Sequence, residues 1–285
     1  MKGPKSMNGV ILINKSKNKT SRDMVNELNH IFDMKKIGHT GTLDPLATGV
    51  LVMCLGKYTK LVEELSSLEK EYIAKIKVGL KTDTLDITGN ILEERDCEFF
   101  KEDVQNVINA LKGKLIQTIP IYSAKKINGK KLYEYARSGK KVELPKNEIE
   151  IFNIELLEVS KDSITFKALV SKGTYIRSLI EQICDKLNII GTMSELTRTK
   201  QGKFSLEDAF SIEDIKNGKY KLLTAKDLLP YQVYKLNEEE YARVKNGNKM
   251  FFDMNDKKII LEYDNKEIAI YERENDVYRV SIMLI

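Results

Sequence analysis

The sequence predicts an α+β protein: a large domain built on a mixed, mostly antiparallel central sheet, then a small β-rich C-terminal domain. Three observations predict it. Strand-like runs with a period of two recur along the chain, with few amphipathic helical stretches between them. From Leu236 to Ile285, Leu, Ile, Val and Tyr alternate between Asn-Asp-Lys and Glu-Asn-Asp turns. The 285 residues, 42% hydrophobic, are enough for the core of one large domain plus a small one. The domains are placed at 1–230 and 231–285, with short helices and a linker over Ser205–Pro230.

Composition narrows the function classes. The net charge of +5 is modest, so any basic surface is local. No run of 18 apolar residues is present, which excludes a helical membrane span. The stretch Met1–Asn8 is polar and does not read as a signal peptide. Cys54, Cys97 and Cys184 are odd in number and far apart, which suits a reducing cytoplasm rather than a disulfide framework. Two histidines and no Cys-x-x-Cys pair leave no basis for a zinc site, so no metal is expected. No Gly-x-Gly-x-x-Gly or Walker loop appears, so no nucleotide cofactor is expected.

Taken in order, Gly9–Lys15 reads as a first strand. Thr20 or Ser21 can cap a helix through about Met34, with Met24, Val25, Leu28, Ile31 and Phe32 on one face. Gly38 to Leu51 then crowds three glycines, three threonines and a proline into an ordered loop. Asp44 sits in its middle, and His39 is the only other titratable side chain there. The apolar run Val50–Leu55 follows as a buried strand. A polar loop pinned to a buried strand is suited to holding a reactive group rigidly.

Thr59–Leu68 reads as a short helix. Lys70–Leu80 is a half-buried strand, with Tyr72, Ala74, Ile76, Val78 and Leu80 on one face. Tyr72 by itself reads as a core-edge aromatic. Asp83 and Asp86 follow in Thr82-Asp83-Thr84-Leu85-Asp86; they lack ion-binding spacing and read as groups that orient the loop. Glu102–Gly113 is a packing helix. Leu115–Ser123, broken by Pro120, is an edge-type strand.

Lys125–Lys146 is the clearest basic segment, about residues 124–147. Lys125, Lys126, Lys130, Lys131, Arg137, Lys140, Lys141 and Lys146 stand against Glu134 and Glu143 alone, eight positive charges to two negative. Tyr133 and Tyr135 are interleaved, and Asn128-Gly129 offers a hairpin turn. Solvated surface and an RNA backbone contact both fit a charge run. Clustered cations with aromatics favour RNA, through counterion release and base stacking.

Ile149–Val159 and Ser163–Ser171 are further strands. Gly173-Thr174-Tyr175-Ile176-Arg177-Ser178-Leu179 opens a helix whose inward face is Ile176, Leu179, Ile180, Ile183 and Leu187. A cation at Arg177 sits in the first helical turn, where the helix dipole disfavours it. It calls for a nearby anion: Asp44, or Glu181 one turn on.

Several of these strings together resemble the bacterial tRNA pseudouridine synthase B (TruB) family. The resemblance covers most of the first 205 residues: His39–Leu51, the Lys70-x-Tyr72 and Gly79-x-x-Thr82-Asp83-Thr84-x-Asp86-x-x-Gly89 strings, Ser171–Leu179, and Leu196-x-Arg198-Thr199-x-x-Gly202-x-Phe204. Lys15 matches the Lys of the family's first motif, although Ser16 and Asn18 stand where Pro and Gly are usual, and it reads as a loop-supporting charge rather than a catalyst. The C-terminal segment resembles a short PUA-type RNA-binding module. The resemblance implies a pseudouridine synthase fold with the site in a central cleft. It implies isomerisation of uridine to pseudouridine at position 55, in the T-loop of tRNA, without a cofactor. The base is flipped, the N1–C1′ bond breaks and a C5–C1′ bond forms.

Asp44 is then the catalytic residue, acting on C1′ as a nucleophile or on the C2′ proton to give a glycal; sequence leaves both open. Arg177 is expected to hold that carboxylate and Tyr72 to stack on the base near C5. Tyr175 and Leu196 wall the pocket, while His39, Lys15 and Asp86 complete the substrate-binding set. The basic segment is the thumb-like insertion that grips the stem-loop backbone. The family implies a cytoplasmic monomer that binds tRNA and needs neither a membrane nor an obligatory protein partner. A non-catalytic RNA-binding protein, a glycoside hydrolase pairing Asp44 with Asp83 or Asp86, and a guide-RNA-dependent relative are the competing readings.

Overall fold

A computed structural model describes residues 7–285, so the polar opening stretch lies mostly outside it. Strand β1 (Gly9–Lys15) is buried except at Asn14. Helix α1 (Ser21–Phe32) begins in a reciprocal cap: the Asp23 amide donates to the Thr20 hydroxyl, and the Thr20 amide donates to the Asp23 carboxylate. Strands β2 (Ile37–His39) and β3 (Thr48–Leu55) pair with each other and bracket the loop at 40–47. A 3-10 turn (Gly56–Leu61) and a short helix α2 (Val62–Ser66) replace the single helix expected over Thr59–Leu68.

Strand β4 (Lys70–Val78) alternates buried and half-buried residues, as its period of two requires. Strands β5 (Leu80–Thr82) and β6 (Ile91–Glu94) flank the loop holding Asp83 and Asp86. Helix α3 (Lys101–Ala110) buries Val104 and Ile108, and β7 (Gly113–Thr118) stops short of Pro120. In the basic segment, β8 (Lys126–Ile127) and β9 (Lys130–Lys131) form a hairpin. Asn128 and Gly129 both have positive φ, as a primed two-residue turn demands. Helix α4 (Leu132–Arg137) follows.

Long strands β10 (Lys146–Val159) and β11 (Ser163–Val170) lead into α5 (Ile176–Leu187), β12 (Gly191–Gln201) and β13 (Phe204–Ser205). Short helices α6 (Ile212–Lys216) and α7 (Ala225–Leu228) come next. The C-terminal part comprises β14 (Gln232–Lys235), α8 (Glu238–Val244), β15 (Lys258–Tyr263), β16 (Lys266–Glu274) and β17 (Val277–Met283).

The central sheet runs β1-β3-β12-β4-β11-β10-β7, with β2 and β13 paired at its margins. Every pair in it is antiparallel except β3–β12, where Thr197 lies beside Thr48 and Arg198 beside Gly49. This is the mixed, mostly antiparallel sheet the sequence predicts. One core packs α1, α3 and α5 against it through Met24, Leu28, Val104, Ile108, Leu179 and Ile183.

A second core joins Val10, Leu12, Val50, Val52 and Phe204 to Ile260 and Ile270 of the C-terminal sheet and to Leu284 just beyond it. That sheet, β14-β15-β16-β17, has its own core around Tyr271 and Tyr278. The Ser205–Pro230 stretch is not a free linker. Leu223 bridges to Val10 and Phe210 to Ile13, and Ala225 and Leu228 are core residues. Their apolar side chains gain more by burial than a linker would by freedom.

Candidate active site

Loop 40–47 is fixed from beneath and from both sides. Leu43, Leu46 and Ala47 are buried anchors, and the Leu43 amide donates to the Ser21 hydroxyl at 2.9 Å. The Ala47 amide closes a turn on the Asp44 carbonyl. Lys15 is fully buried, and its amine donates to the carbonyls of Ser16, Lys19 and Pro45. Burial draws the Lys15 pKa down to about 8, against the opposing pull of Asp44. Arg198 is buried as well, and donates from Nε to the Val50 carbonyl (2.7 Å) and from Nη2 to the Gly41 carbonyl (3.3 Å). Gly49 permits this approach. A Cβ there would meet the Arg198 carbonyl oxygen at 2.2 Å and its nitrogen at 2.6 Å, at a φ of +112°.

The loop presents Asp44 to Arg177 at the first turn of α5. The contact is bidentate: Nε to Oδ2 at 2.9 Å and Nη2 to Oδ1 at 3.0 Å. Two more donors are used, Nη2 on the Tyr122 carbonyl (2.9 Å) and Nη1 on the Thr84 carbonyl (3.0 Å). Arg177 is 5% exposed on its side chain and Asp44 29%, so the cation is sealed and the carboxylate reaches open space. Residues 133 positions apart thus meet, and Asp44, not Glu181, answers the unfavourable helix position.

That open space is a cavity of about 420 Å³. Tyr72, Tyr175, Leu196, Asp44 and Arg177 all line it, and Asp44 is the only carboxylate among its lining residues. Tyr72 and Leu196 are buried in adjacent strands, and Tyr175 caps α5 with its amide held by the Gln117 carboxamide oxygen at 2.7 Å. Burial raises the Tyr175 phenol above its usual range.

Three residues expected to touch substrate do not line the cavity. Lys15 lies beneath the loop, spent on backbone carbonyls. Asp86 is 6% exposed, and its Oδ1 accepts from the Thr88 amide and hydroxyl and the Thr84 hydroxyl, which builds the loop whose Thr84 carbonyl receives Arg177. His39 ends β2, and its Nδ1 accepts from the Gly41 amide at 3.4 Å. Burial and the nearby Arg198 hold the His39 pKa below its usual value.

Of the basic segment's cations only Lys125 lines the cavity. Lys126, Lys130, Arg137, Lys140 and Lys141 are exposed, while half-buried Lys131 bonds the Tyr133 hydroxyl at 3.2 Å. Lys131 and Arg137 both lie over the Tyr133 ring. Asp83 accepts from the Asn90 amide and carboxamide, and neither loop carboxylate lines the cavity with Asp44, where a glycosidase would need its second carboxyl group.

Sequence reasoning passed over Lys70, Ser123 and Arg198, which line the cavity while buried. Lys70 and Arg198 stand inside the matched strings, but as chemistry they carry no local signal. Among the described residues no group of three or more His, Cys, Asp or Glu is placed to hold a metal ion. No described helix is long and apolar enough to cross a membrane, and the three cysteines are free.

Residues 29–176, more than half of the chain, match the family model "TruB family pseudouridylate synthase (N terminal domain)". The chain belongs to the TruB family. Its relatives in that family include the tRNA pseudouridine synthase B of Lactobacillus acidophilus, 40% identical over 98% of this chain and 99% of that one. The enzyme of the same name from Clostridium tetani is 46% identical over 86% of each chain. In fold, a chain of a Cbf5–Nop10–Gar1 complex superposes with a TM-score of 0.72 at 21% identity, covering 97% of this chain and 85% of that one. A chain of an H/ACA RNP bound to a substrate RNA containing 2′-deoxyuridine gives a TM-score of 0.71 at 21% identity, with the same coverage. The TruB membership and these neighbours agree on a pseudouridine synthase fold.

Proposed function

We propose that this TruB-family chain isomerises uridine to pseudouridine in tRNA, at the T-loop uridine of position 55, with Asp44 as the catalytic residue. The observation that carries the reading is a lone carboxylate, clasped by a buried guanidinium, at the wall of a cavity lined by Tyr72, Tyr175 and Leu196. A flipped base needs such a cavity, and leaving the stack costs a few kcal/mol that stacking on Tyr72 would offset. Arg177 fixes both oxygens of Asp44, so the carboxylate meets C1′ or the C2′ hydrogen with little reorganisation. The N1–C1′ electron pair passes to the uracil ring and the ring turns. C5 then bonds C1′ as Asp44 leaves C1′ or returns its proton to C2′, and the C5 proton is lost while N1 takes one up. Atoms balance without an oxidant, a reductant or a cofactor.

Tyr175 and Leu196 hold the ring from the other sides. His39, at the edge of the same loop, contacts RNA beside the flipped base. The exposed cations of the basic segment and the C-terminal module at 231–285 bind the stem-loop backbone. The chain works in the cytoplasm as a monomer without an obligatory protein partner.

The test is pseudouridine mapping, with tritium release from 5-tritiated uridine in a T-arm transcript. Wild-type protein should convert the one uridine, and Asp44→Asn should bind the RNA but release no tritium. Turnover by Asp44→Asn, in a preparation free of host enzyme, would refute the assignment.

A further inference from the structure

Lys70 is the first residue of β4 and stands two places before Tyr72, so both side chains emerge on the same face of the sheet. It is 7% exposed and lines the active-site cavity. Its amine donates to the Ser66 and Leu68 carbonyls, each at 2.6 Å. An ammonium has three N–H donors, so one remains. Among the described residues no carboxylate lies within ion-pair distance of it.

The charges acting on Lys70 are mostly of its own sign. Arg198 is 1% exposed, and both of its hydrogen bonds go to backbone carbonyls. Lys172, exposed, follows Ser171 on the cavity wall, and the Lys70 backbone pairs with Val170. Glu69, exposed and adjacent in the chain, is the one carboxylate that acts on Lys70. Burial first, then Arg198 and Lys172, draw the Lys70 pKa down to about 8, so the cation predominates at neutral pH. A buried cation without a counter-ion is costly. Asp44 is not among the charges that act on Lys70, and its ion pair is with Arg177.

This end of the cavity therefore lacks a negative charge, and an RNA strand carries one at each linkage. We propose that Lys70, backed by Arg198, is a binding site for a phosphodiester flanking the flipped uridine. The site deepens the function proposed above and rests on it. A lysine suits the task as a point charge whose spare donor can follow the strand. It also gives the pairing of Lys70 with Tyr72 on one strand a reason: one side chain holds the backbone while the next stacks on the base.

The test measures Kd for a T-arm stem-loop RNA with wild-type protein, Lys70→Met and Lys70→Arg. The RNA carries native linkages, or a single neutral methylphosphonate on the 5′ or the 3′ side of the target uridine. Wild-type conversion of the native RNA is measured first; if that fails, the proposed function falls, whatever the binding data say. Lys70→Met should weaken native binding about tenfold and lower the log–log salt slope by about 0.7. One of the two methylphosphonates should weaken wild type about as much and add nothing in Lys70→Met. Lys70→Arg should recover most of the affinity.

Equal methylphosphonate losses in wild type and Lys70→Met at both linkages would overturn the proposal, as would a Lys70→Met defect confined to the rate. Should Lys70→Met fail to fold, Lys70→Gln takes its place. If neutralising either linkage costs wild type no affinity, the site does not exist.

Discussion

Replacing Arg177 with Lys keeps the charge and removes the geometry. The guanidinium makes two charged hydrogen bonds to Asp44, at 2.9 and 3.0 Å, and two to the carbonyls of Thr84 and Tyr122. An ammonium on a shorter reach can keep one bond to Asp44 and cannot span the four acceptors together. The missing charged bond is worth about 1.5–3 kcal/mol. Expressed wholly in the barrier, that is about a 10- to 150-fold slower step, at 1.36 kcal/mol per factor of ten. The two orphaned carbonyls cost stability instead, about 1–3 kcal/mol each if neither gains a water.

The decisive assay is single-turnover tritium release at saturating transcript, beside a binding titration. Arg177→Lys should slow the step within that range and leave Kd within about threefold. A rate within about threefold of wild type would show that Asp44 does not depend on the bidentate clasp. A defect seen only in Kd would move Arg177 from positioning the carboxylate to binding RNA.

Gly49→Ala should lower the unfolding free energy by at least about 1–3 kcal/mol, because the added methyl collides with the Arg198 backbone where β3 meets β12. An unchanged Tm in thermal denaturation would contradict the close approach. Lys15 has a folded pKa of about 8, below its unfolded value of 10.5. Between those values the unfolded chain holds the proton that the folded chain has released, so stability should rise with pH there relative to Lys15→Met. Chemical denaturation of both proteins from pH 7.5 to 10.5 measures this, and parallel pH curves would exclude it. Replacing Lys125, Lys126, Lys130 and Lys131 with Ala should flatten the log–log salt dependence of RNA binding by about 0.7–0.9 for each phosphate no longer neutralised. An unchanged slope would take the basic hairpin out of the RNA interface.

Much of this molecule follows from local sequence. Alternation placed β4 and β11, a cap at Thr20 or Ser21 placed the start of α1, and Asn128-Gly129 placed the hairpin turn, because each is decided by neighbours a few residues away. Loop 40–47 was legible as an ordered loop from its composition, and Asp44 as a catalytic candidate from the family string around it. An ion at the wrong end of a helix pointed to a missing partner, though not to which one.

The tertiary structure alone decided the rest. It chose Asp44 over Glu181 for Arg177, since that pairing requires loop 40–47 and the first turn of α5 to converge across the sheet. Lys15 and Asp86, each read from the sequence both as a loop support and as a substrate contact, it placed as supports, because buried polar groups must find partners and theirs are backbone carbonyls and loop hydroxyls. It also brought Lys70 and Arg198 to the cavity wall. A lone Lys or Arg in a strand carries no record of what it will face; strand register sets that, and register is fixed by pairings more than a hundred residues apart.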